Sequence, residues 1–351
     1  MWSEEGRYNS VWMSRVLAGL NDAGLSMSDN LKALGIDPQG EFLTRHEAIS
    51  TLASAGMISR DEALRLLPSK IQPGTVALYA RALMLGEDLG SALAWAGRFT
   101  ATITPSVQSR LTVEGDRAII TLSLDGPDRQ RSALVEDYMV VVYFCLYCHF
   151  VGRRIPLRGV TSPLDPHPLV GAMHPMVRCP VSAGAETRLI FPAACLDWPR
   201  RMPMVLDTLP DAFNWYGAKL PFRRPFQYVD APVDEDLLAL EEKLYLSRPG
   251  DPAAAAEMRG ELARSRVRRR PRNQLISAMA VELLVTTSFP VVEIAAMLGY
   301  ADASSFRRFM RSEVGQAPSD IREAWKYETF STTQAEMETW YSLTSDFGIA
   351  R

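Results

Sequence analysis

The chain has 351 residues, is 47% hydrophobic and 23% charged, and carries a formal net charge of −3. That length holds two or three domains and that composition a sizeable core, which excludes a disordered or fibrous chain. The slight acidity excludes a histone-like binder that is basic all over, but leaves room for one local basic surface.

The opening residues, MWSEEGRYNSVW, place no basic stretch ahead of an apolar one, so no signal peptide is expected. The most apolar run, 139–151, is shorter than the roughly 20 residues that cross a bilayer. No membrane contact is expected, and a cytoplasmic protein with its four cysteines reduced is. Residues 10–70 read as helical: Trp12, Val16, Leu17 and Leu20 keep helical spacing, Gly24 ends that segment, and Gly35-Ile36-Asp37-Pro38 is a stop. Two amphipathic helices are expected over Arg45–Ala55 and Arg60–Leu67, and two more over Thr75–Leu85 and Asp88–Phe99. In the last of these, Leu89, Ala92, Leu93 and Ala96 share a face. A hairpin follows, Val107–Val113 and Ala118–Leu124, its arms alternating apolar with polar residues around Glu114-Gly115-Asp116.

Arg131 to Val151 is a mainly apolar helix, expected to be buried. It contains Cys145-Leu-Tyr-Cys148-His149, a match to the haem-attachment pattern. That chemistry needs an exported protein, so these residues read instead as core. A thioredoxin-like pair lacks its preceding strand, and a zinc site lacks a second regularly spaced ligand pair. Short strands are expected at Leu157–Thr161 and Thr187–Phe191, on either side of a Pro/His/Met loop. Residues 1–202 together read as an α+β domain.

Residues 203–232 hold five prolines and read as a linker, with enough aromatics to lie against a domain. Two helices follow, Asp234–Leu246 and Ala253–Arg264. The run from Arg264 to Arg272 has six arginines and no acid. Such a run is a solvated surface or, beside a DNA-reading element, a phosphate contact. A helix over Leu275–Val285 leads into the most patterned stretch of the chain.

That stretch reads as a helix-turn-helix at 290–313. Val291, Ile294, Ala295 and Leu298 line one face of a first helix, and Gly299 supplies its left-handed cap. Asp302 stands as N-cap of a second helix whose apolar residues are Phe306, Phe309 and Met310. The opposite face carries Ser304, Arg307, Arg308 and Arg311, with Ala303 small enough for the helix tip to approach a surface. Gly315 ends this helix and Pro318 opens a third, anchored by Ile321 and Trp325. A basic helix of this kind enters a major groove N-terminus first, and arginine pairs bidentately with guanine. The plainer reading is a helical hairpin with a solvated basic face.

The run EIAAMLGYADASSFRRFMRSEVGQAPSDIR resembles the second helix-turn-helix of AraC/XylS-type transcription regulators. The residues that carry the likeness are Ile294-Ala295, Gly299-Tyr300, Ser304, Phe306, Arg308, Gly315, Pro318 and Arg322, with Phe309-Met310 a departure that alters packing. Residues 35–202 resemble, more weakly, the arabinose-binding-like effector domain of one subgroup, closing on Leu196-Asp197-Trp198-Pro199. The resemblance implies an α+β effector and dimerisation domain at 1–202. It implies an all-α DNA-binding domain at 233–327, with a tail at 328–351 beyond the family pattern.

In the family a first helix-turn-helix precedes the linker helix. No such unit is legible here, and Met258 and Arg259 are the nearest stand-ins for its recognition helix, so it reads as degenerate or missing. Ala303, Ser304, Arg307 and Arg308 are the expected groove residues. Arg311 and the Arg268, Arg269, Arg270 triplet are the expected phosphate contacts, with Asp302 as cap. The expected partners are double-stranded DNA, a small-molecule effector, a second copy of the chain and RNA polymerase. No cofactor, metal or catalytic site is called for: nucleotide-binding and hydrolase motifs are absent, and the adjacent Glu136 and Asp137 read as solvated acids. The competing reading is a relative whose degenerate DNA-binding domain acts through protein–protein interaction.

Overall fold

The computed structural model describes residues 8–25, 42–43, 51, 55–56, 58–72, 74–103, 106–124, 126, 128–151, 153–165, 179–200, 235–247, 252–287 and 289–324. The expected helix over 45–55 falls largely outside these residues. Residues 166–178 of the Pro/His/Met loop, the 203–232 linker, Trp325 and the 328–351 tail also lie outside them. The chain divides into two compact units, residues 1–216 and 217–351.

In the first unit, strand β1 (Tyr8–Asn9) leads into helix α1 (Ser10–Asp22), which ends at Gly24 with φ +71°. β1 pairs with β2 (Phe42–Leu43). Leu17 and Leu20 are buried. The helix expected over Arg60–Leu67 does not form. Arg60, Leu64 and Arg65 all take left-handed φ between 49° and 61°. The reason is side-chain capture of the backbone: the buried Asp61 carboxylate accepts the N–H groups of Ala63 (2.9 Å), Arg65 (3.1 Å) and Ile71 (2.8 Å). Local bonds of this kind compete with a helical ladder. Its neighbour Glu62 reaches forward to the start of helix α2 (Thr75–Leu83), accepting the N–H groups of Gly74 (2.8 Å) and Val76 (2.9 Å).

Helix α3 (Leu89–Ile103) buries Leu89, Ala92, Leu93 and Ala96 as the pattern predicts, and runs four residues further than expected. Then come β3 (Val107–Glu114) and β4 (Arg117–Leu124), an antiparallel hairpin closed by Gly115 (φ +61°) and Asp116. Helix α4 (Arg129–Val151) is followed by β5 (Gly159–Ser162), β6 (Val181–Ala183) and β7 (Thr187–Pro192). The five strands order as β3-β4-β7-β5-β6, antiparallel except for the β5–β6 pair. β6 escaped the sequence pattern because it is only three residues long.

β4 is buried from Ala118 to Leu122, as its unbroken apolar run AIITL allows. α4 packs on β4 and β7, and α3 on β3. Glu136 and Asp137 are not solvated but buried. The Glu136 carboxylate accepts bonds from Arg129 (2.7 and 2.9 Å), the Leu124 N–H (2.9 Å) and the Thr187 hydroxyl (2.5 Å), tying α4 to two strands. The haem-like pattern lies on α4. Cys148 is buried and its sulfur accepts the Ile155 N–H, while the side chains of Cys145 and His149 lie outside the described set. The unit closes on a 3₁₀ turn, Ala193–Asp197, after which the Leu89 N–H donates to the Trp198 carbonyl and Arg153 stacks on the Trp198 ring.

The second unit is helical: α5 (Glu235–Leu246), α6 (Pro252–Arg264), α7 (Arg269–Thr286), α8 (Val291–Met297), α9 (Ala303–Glu313) and a last helical stretch at 318–324. Leu240, Leu244, Leu275, Leu283, Ile294 and Phe306 belong to one buried cluster. α7 starts six residues earlier than its apolar pattern suggests, taking in Arg269 to Arg272. No helix among the described residues is long and apolar enough to cross a membrane.

Candidate nucleic-acid interface

α8 begins after Pro290 and ends in a left-handed cap. Gly299 (φ +80°) donates to the Ala296 carbonyl (3.0 Å) and Tyr300 to the Ala295 carbonyl (2.8 Å), the paired bonds of a Schellman motif. The Tyr300 ring then packs on Phe306 and Phe309 of α9, both 5.3 Å away, which fixes the angle between the helices. Burial pushes the Tyr300 phenol well above its ordinary range, so it stays neutral.

Asp302 caps α9: its carboxylate accepts the Ser305 N–H at 2.7 Å and the Ser305 hydroxyl at 2.9 Å. Those bonds, the backbone one foremost, hold the Asp302 carboxyl below its usual range. Phe306 and Met310 are fully buried and Phe309 is partly so. Ser304, Arg307, Arg308 and Arg311 are exposed, and Ala303 is half-buried at the tip. Arg308 donates to the Ser305 hydroxyl at 3.2 Å, so Asp302, Ser305 and Arg308 form a chain along the helix surface. Ser305 escaped sequence reasoning. Its signal was a hydroxyl three residues after an N-cap aspartate, the capping-box position normally held by Glu or Gln.

The arginine run splits into two kinds. Arg264 pairs with Glu261 (3.1 Å), and Arg272 donates to the Leu262 carbonyl (3.1 Å). Arg266, Arg268, Arg269 and Arg270 are exposed. Arg268 to Arg270 open α7, whose N-cap has no side-chain bond and whose first turn has no acid. Cations at the positive end of a helix are unfavourable until an anion joins them. Asn273, one turn on, donates to Glu313 at 2.8 Å, which puts the start of α7 beside the C-terminal end of α9 rather than its tip. Arg322 anchors the last helix from behind, through the carbonyls of Leu284 (3.1 Å) and Phe289 (2.7 Å).

α6 is different in character. Met258 is buried, and Leu262 and Met258 lie against Gly299: a Cβ there would fall 2.4 Å from Leu262 Cδ1. Its outward side carries Glu257, Arg259 and Arg264, with Glu261 drawn to Lys243 (2.5 Å) and Arg264. Signs balance there, unlike on α9. Arg259 is exposed, but Met258 supports the turn from inside.

Comparison with known proteins places two matches on these units. Residues 24–200 match the arabinose-binding domain of AraC transcription regulators, N-terminal, and residues 270–324 match a helix-turn-helix domain. The chain is 26% identical over 289 residues to the ornithine utilization regulator of Pseudomonas aeruginosa, covering 77% of this chain and 81% of that protein. The crystal structure of the transcriptional regulator CdpR from Pseudomonas aeruginosa aligns over 90% of this chain and 98% of its own, at 20% identity and a TM-score of 0.32.

Proposed function

Given that the chain belongs to the AraC transcription regulators that carry an arabinose-binding-type N-terminal domain, and is a DNA-binding regulator, we propose how it reads DNA. α9 enters the major groove tip first. Ala303 lets the tip approach, Ser304, Arg307 and Arg308 face base edges, and Arg311 holds a phosphate. Arg268, Arg269 and Arg270 hold phosphates beside the other end of the helix, where the bare N–H groups of α7 add to their attraction. The observation that carries this reading is the two-sidedness of α9: Phe306 and Met310 are fully buried while three arginines stand exposed opposite them. With α6 carrying balanced charge, one reading helix per chain is the arrangement this favours.

The N-terminal unit binds a small effector, and the effector shifts DNA affinity by preferring one of two states of the protein. Ornithine is the first effector to test, because one relative is named for its utilization. A second copy of the chain and RNA polymerase complete the set of partners, in the cytoplasm.

The test is selection from random duplex DNA by the full chain at two salt concentrations. An enriched short motif is expected, and Arg308→Ala should weaken binding to it by about 1–3 kcal/mol at fixed salt. Unchanged affinity of that variant overturns the groove assignment. Salt-sensitive retention without an enriched motif would leave only the phosphate contacts standing.

A further inference from the structure

β3 is the edge of the five-stranded sheet and is eight residues long, the kind of edge that pairs with another strand unless something covers it. Its hairpin register runs from Glu114↔Arg117 to Val107↔Leu124 across the two-residue loop. In such a hairpin the pair next to the loop exchanges both hydrogen bonds, and the pairs then alternate. The N–H and C=O groups of Ser109, Leu111 and Val113 therefore point away from β4. Helix α3 reaches this edge at Ser109: a Cβ on Gly97 would lie 3.3 Å from the Ser109 carbonyl oxygen. Beyond it, among the described residues, no hydrogen bond takes the edge groups of Leu111 or Val113. Val113 is 56% exposed although its partner across the hairpin, Ala118, is fully buried.

We propose that β3 residues 110–114 pair with the same residues of a second copy, antiparallel about a two-fold axis through Thr112. This deepens the dimer reading above by naming its surface. The register follows from the residues. Centring on Thr112 sets Arg110 opposite the other copy's Glu114, twice, and Leu111 opposite Val113, twice. The Leu111–Val113 pairs exchange backbone bonds, since both residues face the open edge. The Arg110–Glu114 pairs are of the non-hydrogen-bonded kind, in which side chains come closest. Centring on Leu111 instead would need Ser109, where α3 stands. Within its own chain Glu114 faces Arg117, so in the dimer it lies between two cations.

The two Thr112 residues would themselves form a non-hydrogen-bonded pair, with Cα atoms about 4.5 Å apart, within disulfide range. Cys148, Cys179 and Cys195 are buried. The experiment uses the full chain. Thr112→Cys is expected to cross-link into a covalent dimer under mild oxidation, while Gln108→Cys is not. By sedimentation, Arg110→Glu and Glu114→Arg should each weaken self-association at least tenfold, and the double reversal should restore it. A wild-type dimer that resists both single reversals, with no Thr112→Cys cross-link, overturns this surface but leaves the dimer reading standing. A wild-type chain that stays monomeric at every concentration overturns both.

Discussion

Glu62 illustrates how far burial moves a single side chain. Burial pushes its carboxyl from the ordinary 4.5 up to about 7, against two helix N–H bonds that favour the anion and with Asp61 adding repulsion. The folded protein thus holds a proton that the unfolded chain releases. Stability from this group is fully present below about pH 4.5 and is lost as pH rises through 7, by about 3 kcal/mol in all, most of it between pH 5 and 8. Glu62→Gln should flatten that fall: the difference in stability between wild type and variant, measured by urea unfolding from pH 5 to 8, should shift by that amount. A pH-independent difference would refute it. The buried Tyr79, Tyr143 and Tyr147 stay neutral throughout, because burial raises all three phenols. None of this was visible in the sequence. Asp61 and Glu62 look like any acidic pair, and their partners lie up to 14 residues away.

At the scale of elements, the α8–turn–α9 hairpin was legible almost to the residue. Its signals are local: a proline start, a glycine cap, an aspartate N-cap and a second glycine stop. Gly299→Ala tests the cap. An L-residue at φ +80° costs about 1–2 kcal/mol, and the new methyl also meets Leu262. The substitution should lower the melting temperature, and adding Leu262→Ala should recover only the part due to the clash. Full recovery would mean that backbone strain contributes nothing. The elements that sequence reasoning misjudged depend on distant partners. Arg60–Leu67 has a helical pattern but gives its N–H groups to Asp61. Glu136 reads as a surface acid until Arg129 and Thr187 are brought to it. The start of α7 was hidden because its first turn is arginine and proline, with no apolar face to mark it.

For the molecule as a whole, net charge and local charge act separately. The chain is acidic overall at −3, yet in the helical unit three exposed arginines stand on α9 (Arg307, Arg308, Arg311) and three at the start of α7 (Arg268, Arg269, Arg270). Association with DNA should accordingly depend steeply on salt. Replacing Arg268, Arg269 and Arg270 together by Ala should reduce the slope of log affinity against log salt by about 0.9 for each phosphate left without its arginine, and weaken all sequences alike. An unaltered slope, measured by titration at four salt concentrations, would return these residues to solvated surface. The two-unit plan was readable from composition and pattern, as was the division between an α+β part and a helical part. The packing role of α6 was not, because that depends on which of its faces the turn of α8 occupies.

That occupation has a further consequence. The helix-turn-helix match begins at residue 270, yet the glycine turn at its heart is roofed by Leu262 and Met258, which precede it. The motif is not a detachable cassette. A chain cut at 270 would keep the whole of α9, lose Arg268 and Arg269, and lack this roof, leaving Gly299 and its neighbours bare. Grafting this reading head onto another protein therefore means carrying α6 along with it.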